Sequence, residues 1–252
     1  MKKIRTIDHI FSTYSRHVFL SPHPDDAVWS CGGLIDLLNK NHYPIMIITI
    51  FDGEPATLPP QTSLDAWRVI ARPQLRRMEN KKAIGRLNAE HLSLNFVDGA
   101  LRNDGASFSY TLNTLFHDPA GEEDLKHSIR QRLQEVLRSG DLVYAPLASG
   151  NHLDHHVVRS AITGCIEQKI AYYDDFPYPK VQGQRNYAPI YQPVDIRAWL
   201  ELATIYRSQV RVLFGTLRNF KSALVKRARE FGRQAGGNAR WAYRMWFNTA
   251  DS

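Results

Sequence analysis

His17-Val18-Phe19-Leu20-Ser21-Pro22-His23-Pro24-Asp25-Asp26 sets an apolar run of strand length directly before a turn loaded with metal-ligating side chains. Its counterpart lies far downstream, where Leu142-Val143-Tyr144-Ala145-Pro146-Leu147 runs into His152-Leu153-Asp154-His155-His156. Two buried strands that each deliver a His/Asp cluster at the carboxyl end imply an open α/β sheet, because ligands of such sheets collect at that edge. The stretches between and beyond them fit. A helix is predicted from about Ala27 to Lys40, and a second buried strand over Ile45-Met46-Ile47-Ile48-Thr49-Ile50-Phe51. Helix follows over 65–88, interrupted at Pro73, then an alternating strand at Leu92-Ser93-Leu94-Asn95-Phe96. Leu125, Ile129, Leu133 and Val136 recur at helical spacing between Glu122 and Arg138. A helix from about His155 to Gln168 and a strand at Ile170–Tyr173 continue the order. Strands separated by helices predict a mostly parallel sheet with helices on both faces. The long segments 52–63, 98–121 and 174–189 emerge at the same edge and suit the wall and lid of a small-molecule pocket.

The chemistry is in the spacing. Within each cluster a histidine lies three residues from a second ligand type, His23 with Asp26 and His152 with His155, so a tight turn or first helical turn can point both groups one way. Two imidazoles and one carboxylate are a recurring protein set for catalytic zinc, with the fourth position open for water or substrate. His23, Asp26 and His155 make the trio that leaves Asp25 free as a base and His152 free as a second acid/base or oxyanion donor. Asp154 is then a partner that orients a ligating imidazole. A site of this kind is built for hydrolysis. The bland alternative is that the aspartates of His23-Pro24-Asp25-Asp26 merely cap the next helix and that the second cluster is a solvated helix start. The pairs His23-Pro24-Asp25 and His152-Leu153-Asp154 also suit a two-histidine, one-carboxylate iron centre, but its usual all-β jelly roll conflicts with the helix-rich alternation. A metal phosphoesterase is a further rival.

At 252 residues, 43% hydrophobic and 23% charged, the chain suits one large α/β domain with a substantial core. The expected division is a core over about 15–195 and a helical region over about 196–252 packed on it. No apolar run nears the roughly 18 residues of a membrane span, and no signal-peptide segment follows Met1-Lys2-Lys3. Cys31 and Cys165 form neither a metal nor a redox spacing, so a reducing cytoplasm is expected, with Cys31 a small buried residue. The net charge of +7 resides in one place: between residues 216 and 246, Arg218, Lys221, Lys226, Arg227, Arg229, Arg233, Arg240 and Arg244 face only Glu230. That localisation argues against a generally basic nucleic-acid surface. Leu213, Leu217, Phe220, Leu224, Ala228 and Phe231 lie at helical spacing in this tail, which reads as a helix docking its apolar stripe on the sheet in preference to a membrane. Oligomeric state is not legible.

His23-Pro24-Asp25-Asp26, Gly32-Gly33, Arg76 with Glu79, Phe96-Val97-Asp98-Gly99 and His152-Leu153-Asp154-His155, in this order over roughly residues 17 to 160, resemble the LmbE-like, or PIG-L, N-acetylglucosaminyl deacetylases. The resemblance implies a Rossmann-like fold and a zinc-dependent N-deacetylase, with Fe2+ an alternative ion. It implies His23, Asp26 and His155 as ligands, Asp25 as base, His152 as aid to the tetrahedral intermediate or leaving amine, and Arg76 and Asp98 as contacts to sugar hydroxyls. Arg76 and Glu79 could equally form an exposed i,i+3 ion pair. Ala27 stands where many members have glutamate. With Gly150-Asn151-His152, Tyr172-Tyr173-Asp174-Asp175-Phe176-Pro177-Tyr178, Tyr206-Arg207-Ser208-Gln209 and Arg244-Met245-Trp246, it is similar to a branch from bacterial biosynthetic settings. The implied substrate is an acylated, in the first instance acetylated, amino sugar or related small biosynthetic intermediate. The alternatives are another amide or ester, and an inactive sugar- or lipid-binding protein of the same fold.

Overall fold

The computed structural model describes residues 11–60, 65–116, 122–164, 166–179 and 186–249. Every residue of β1 (Arg16–Ser21) is buried, and so is every residue of β2 (Ile45–Gly53) and β4 (Asp141–Pro146). That is what a strand covered on both faces requires, and it is why these segments read as near-continuous apolar runs. β3 (Ala89–Val97) pairs with β2, and β5 (Lys169–Tyr173) with β4, all in parallel. Two more strands, β6 (Tyr187–Pro193) and β7 (Ala242–Asn248), complete a seven-stranded sheet of order β3-β2-β1-β4-β5-β7-β6. β7 runs antiparallel to both its neighbours.

Alternate residues of β1 enter different cores. Val18 and Leu20 pack with Ile129 and Leu133 of α4 (Glu123–Val136) and Val157, Val158 and Ala161 of α5 (Leu153–Ile162). Phe19 packs on the other face with Cys31, Leu34, Ile35 and Leu38 of α1 (Asp26–Lys40). The expected two-sided α/β architecture therefore holds. The helix region around Pro73 is α2 (Ala66–Val69) and α3 (Pro73–Ile84), with the proline at the start of the second, where its missing N–H has no partner to lose. α5 stops at Ile162, short of the expected Gln168, because Gly164 turns to φ +68°. Cys165 lies outside the described residues.

Beyond the sheet the chain adds α6 (Ile196–Ala203), α7 (Arg207–Phe214) and α8 (Leu217–Ala235), which bury Trp199, Val210, Phe220, Leu224 and Ala228 against Val28 and Trp29 of α1. Gly32 permits that approach: a β-carbon there would sit 2.6 Å from Trp199 Cδ1. The C-terminal region departs from expectation in two ways. It is not wholly helical, since it supplies β7, and its apolar stripe is split. Gly215, at φ +70°, ends α7, and Thr216 accepts from the Asn219 N–H to start α8, so Leu213 and Leu217 stay exposed while Phe220, Leu224, Ala228 and Phe231 are buried. Nor are all its cations solvated. Arg244 is buried in a bidentate pair with Asp174, and Arg227 donates to the Tyr178 carbonyl and lies over the Phe176 ring. Among the described residues no helix is long and apolar enough to cross a membrane.

From β1 the chain moves outward to β2 and β3, then returns to β4 on the other side of β1 and moves outward to β5. The carboxyl ends of β1 and β4 thus flank the point where strand order reverses, where open α/β sheets form their crevice. Both His/Asp clusters are there.

Candidate active site

The turn between β1 and α1 settles what its aspartates are for. Asp25 occupies the N-cap of α1 but makes no capping hydrogen bond. The Ser21 hydroxyl accepts from the Ala27 N–H instead, which leaves both carboxylates for other work. Asp26 Oδ2 accepts from the His23 backbone N–H at 2.7 Å and lies 3.1 Å from His23 Nδ1. From the start of α5, His155 Nε2 comes to 3.3 Å from the same oxygen, yet it is buried without a hydrogen-bond partner. The three donor atoms lie within 4.8 Å of one another. An orphaned imidazole nitrogen facing a buried carboxylate across so short a gap is the donor set a divalent cation would satisfy. Burial alone would push the Asp26 carboxyl up, but His155 and His23 outweigh it and hold it well below the usual carboxylate range. His155 is correspondingly pushed up to about 10, where Asp26 and Asp175 overcome its burial; a cation between them would take the place of that proton.

Both histidines are held from behind. His23 Nε2 lies 2.9 Å from Asp154 Oδ2, and His155 Nδ1 lies 2.5 Å from Asp175 Oδ1. Carboxylates on the far ring nitrogens fix tautomer and orientation and raise the basicity of the near ones. Asp154 also accepts from the Gly99 N–H at 2.9 Å and from Arg102, whose other arm meets Glu122. Asp175 also accepts from the Ser149 N–H at 3.1 Å. A second donor group, His23, His152 and Asp154, is as compact, but there Asp154 is already committed to Gly99 and Arg102, and His152 Nδ1 accepts from the Asp154 N–H. Sequence reasoning missed Asp175. The signals were its place just after β5, one strand beyond β4 at the same edge of the sheet, and its presence in the Tyr172–Tyr178 stretch, to which no role was given.

Asp25 accepts a 2.6 Å hydrogen bond from Arg76 Nη2, and Arg76 Nη1 reaches Asp98 Oδ2 at 3.1 Å. The alternative of an exposed Arg76–Glu79 pair is overturned. α3 turns Arg76 inward, 7% exposed, while Glu79 accepts from the backbone and hydroxyl of Ser208. Arg76 therefore fixes both aspartates, and it lines the cleft together with Asp98. Gly99 is needed beside them, since a β-carbon there would sit 2.7 Å from Arg102 and 3.1 Å from Asp154 Oδ1. His152 is the N-cap of α5. Burial, together with His23 and His155, pushes its imidazole well below the usual range, so the ring is neutral. With Nδ1 accepting, its proton sits on Nε2. These groups line a cavity of about 280 Å3 whose walls include Trp29, Leu115, Phe116 and Tyr178.

A family model described as PIG-L, GlcNAc-PI de-N-acetylase, matches residues 18–166. A 2'-N-acetylparomamine deacetylase of Streptomyces fradiae is 31% identical over 178 residues, which are 68% of this chain and 59% of that protein, so the match spans less than two thirds of the relative. A protein of the same name from Niallia circulans is 26% identical over 238 residues, 79% of this chain and 82% of its own length. Among solved structures, a deacetylase of the teicoplanin biosynthesis pathway shares the fold with a TM-score of 0.72, at 24% identity over 94% of this chain and all of the other. N,N'-diacetylchitobiose deacetylase from Pyrococcus horikoshii does so with a TM-score of 0.62, at 16% identity over 99% of this chain and 96% of the other.

Proposed function

The chain belongs to the family described as PIG-L, GlcNAc-PI de-N-acetylase, and from that premise we propose that it is a metal-dependent N-deacetylase. In this reading it hydrolyses the acyl group, acetyl in the first instance, from the amine of an amino sugar or related small biosynthetic intermediate. The observation that carries the reading is the convergence of His23, Asp26 and His155, with a carboxylate behind each imidazole and Asp25 released from helix capping beside them. Relatives named for removing an N-acetyl group support the choice of an amide.

When bound, a zinc ion, with Fe2+ the alternative, would polarise the acyl oxygen and bring the pKa of a water down into the neutral range. Asp25 accepts the proton of the attacking water and returns one to the departing amine, so that an amide and water leave as a carboxylic acid and an amine. Arg76 pins one carboxylate oxygen of Asp25 and leaves the other for that proton. His152 presents its Nε2–H to the oxyanion of the tetrahedral intermediate as a neutral donor. Arg76 and Asp98 line the cleft from the side and are the candidates for sugar hydroxyls. We read residues 1–252 as one catalytic unit, because β7 from the C-terminal region sits between β5 and β6, and place it in the cytoplasm with Cys31 buried and inert.

The test is acetate release from N-acetylglucosamine glycosides by metal-loaded protein, with chelator-treated protein alongside. Turnover that survives complete removal of metal would overturn the mechanism. Sugar binding with no turnover would indicate a binding protein of this fold.

A further inference from the structure

The floor of the cleft is polar and its mouth is not. Leu112, Phe116, Val212 and Leu213 all line the cavity that contains His23, Asp25 and His152, and they are 51%, 37%, 48% and 52% exposed. Scattered surface leucines need no explanation, but several large apolar side chains converging on one opening form a patch that is. They arrive from two places far apart in sequence, the turn around the 3-10 segment Thr114–Phe116 and helix α7. Inside the mouth the wall continues with Trp67, Ile70 and Ala71. The amide of Gln209 adds little polarity here, since its Nε2 is already engaged, donating to the Ile70 carbonyl and to the Ser208 hydroxyl. A sugar bearing only hydroxyls would trade water mostly for carbon along this wall.

We propose that the mouth is an apolar subsite that takes an alkyl or aromatic substituent of the substrate, carried on its acyl group or on its aglycone; the assignment rests on the hydrolytic reading above. The occupant follows from continuity: the wall and His23, Asp25, Asp26 and His152 bound a single cavity, so whatever covers the apolar rim is attached to what reacts at the floor. The break at Gly215 serves this arrangement by leaving Val212 and Leu213 at the cleft while α8 goes on to pack in the core.

Two substrate series with metal-loaded full-length protein test it. One lengthens the aglycone, from methyl through butyl to hexyl β-glycosides of N-acetylglucosamine. The other lengthens the acyl group of a methyl glucosaminide, from acetyl through butanoyl to hexanoyl. In one series kcat/KM should rise by roughly fourfold per buried methylene until the mouth is filled, and the series that rises identifies the source. The rise should disappear in Val212→Asp/Leu213→Asp, whose positions are exposed enough to keep the fold, as a thermal melt checks. A calorimetric comparison of hexyl with methyl β-glucoside, which carry no amide, reads the subsite without turnover. Tighter binding of the hexyl compound that the double variant abolishes would uphold the subsite even if no amide were hydrolysed. Two flat series with equal binding of the two glucosides would remove it while leaving the hydrolase standing. Equal binding with co-sedimentation on neutral phosphatidylcholine vesicles would make the mouth a membrane-docking face and overturn the proposal.

Discussion

Asp175→Asn is the most informative substitution because it changes charge and almost nothing else. The native carboxylate lies 2.5 Å from His155 Nδ1 through one oxygen and accepts the Ser149 N–H through the other, with both Asp175 and His155 about 1% exposed. Asparagine can keep one of these bonds, but its amide NH2 then faces the remaining donor, and the negative charge that raises the basicity of His155 Nε2 is gone. Loss of such a partner weakens metal binding by roughly 10- to 100-fold, which is about 1.4 to 2.8 kcal/mol. Competition against a chelator of known affinity measures this directly. Asp174→Asn is the matched control. Asp174 carries the Arg244 guanidinium and the Trp246 indole N–H, so the change leaves a buried cation unpaired at a cost of about 3 to 5 kcal/mol in stability while the folded protein binds metal as before. Native-like metal affinity in Asp175→Asn, or equal loss in both variants, would refute the assignment.

Asp25→Asn should keep the metal and lose roughly 10²- to 10⁴-fold in turnover, whereas Asp26→Asn should lose the metal; the reverse pattern in elemental analysis would exchange their roles. His17, fully buried against Tyr144, is pushed down to about 4 by its burial. Since the unfolded chain binds that proton near pH 6.5, the stability held by the neutral ring is complete above that pH and drains away as pH falls towards 4, by up to about 3 kcal/mol. The difference in unfolding free energy between pH 7 and pH 4.5 should therefore shrink in His17→Phe, and an unchanged difference excludes His17 as the cause. In the basic tail, Lys221→Gln with Lys226→Gln should leave the melting temperature in place. Arg227→Gln should cost about 1 to 2 kcal/mol by freeing the Tyr178 carbonyl and the Phe176 ring, and equal melts for the two variants would count against that contact.

What the sequence reveals here depends on the range of the interaction. β1, β2 and β4 are legible because each is a short apolar run, and the ligand pairs because three residues is one turn. Asp175 is not legible, since its partner is 20 residues away and they meet only because β5 lies beside β4. Arg76 and Glu79 show the limit of spacing in the other direction: it makes them neighbours and leaves an exposed ion pair open as an alternative, but it says nothing of which way α3 faces, and tertiary contacts take Arg76 to Asp25 and Glu79 to Ser208. The tail misleads for a third reason. A period of 3.6 continues unbroken through Leu213, Leu217 and Phe220, and only the positive φ at Gly215 ends one helix before the next. Ala242–Asn248 mixes Arg244 with aromatic residues and is read as the end of a helical tail, because a strand buried between β5 and β6 shows no alternation.

Charge balance explains why these particular side chains sit together. Buried charges persist only when compensated, and around this cleft three guanidiniums meet five carboxylates, an excess of two negative charges: Arg76 pairs with Asp25 and Asp98, Arg102 with Asp154 and Glu122, and Arg244 with Asp174. Asp26 and Asp175 remain. Among the described residues their ionic partners are His23 and His155 alone, and an imidazole compensates a carboxylate only while it holds a second proton. Two buried carboxylates bracketing His155 thus demand either additional protons or a cation of charge two. Only the second leaves the near nitrogens of both rings free to act as ligands. A divalent ion at these ligands would offset two of the negative charges that the guanidiniums leave uncompensated. That is the physical argument for the proposed ion between His23, Asp26 and His155, with Asp25 paired to Arg76 beside it.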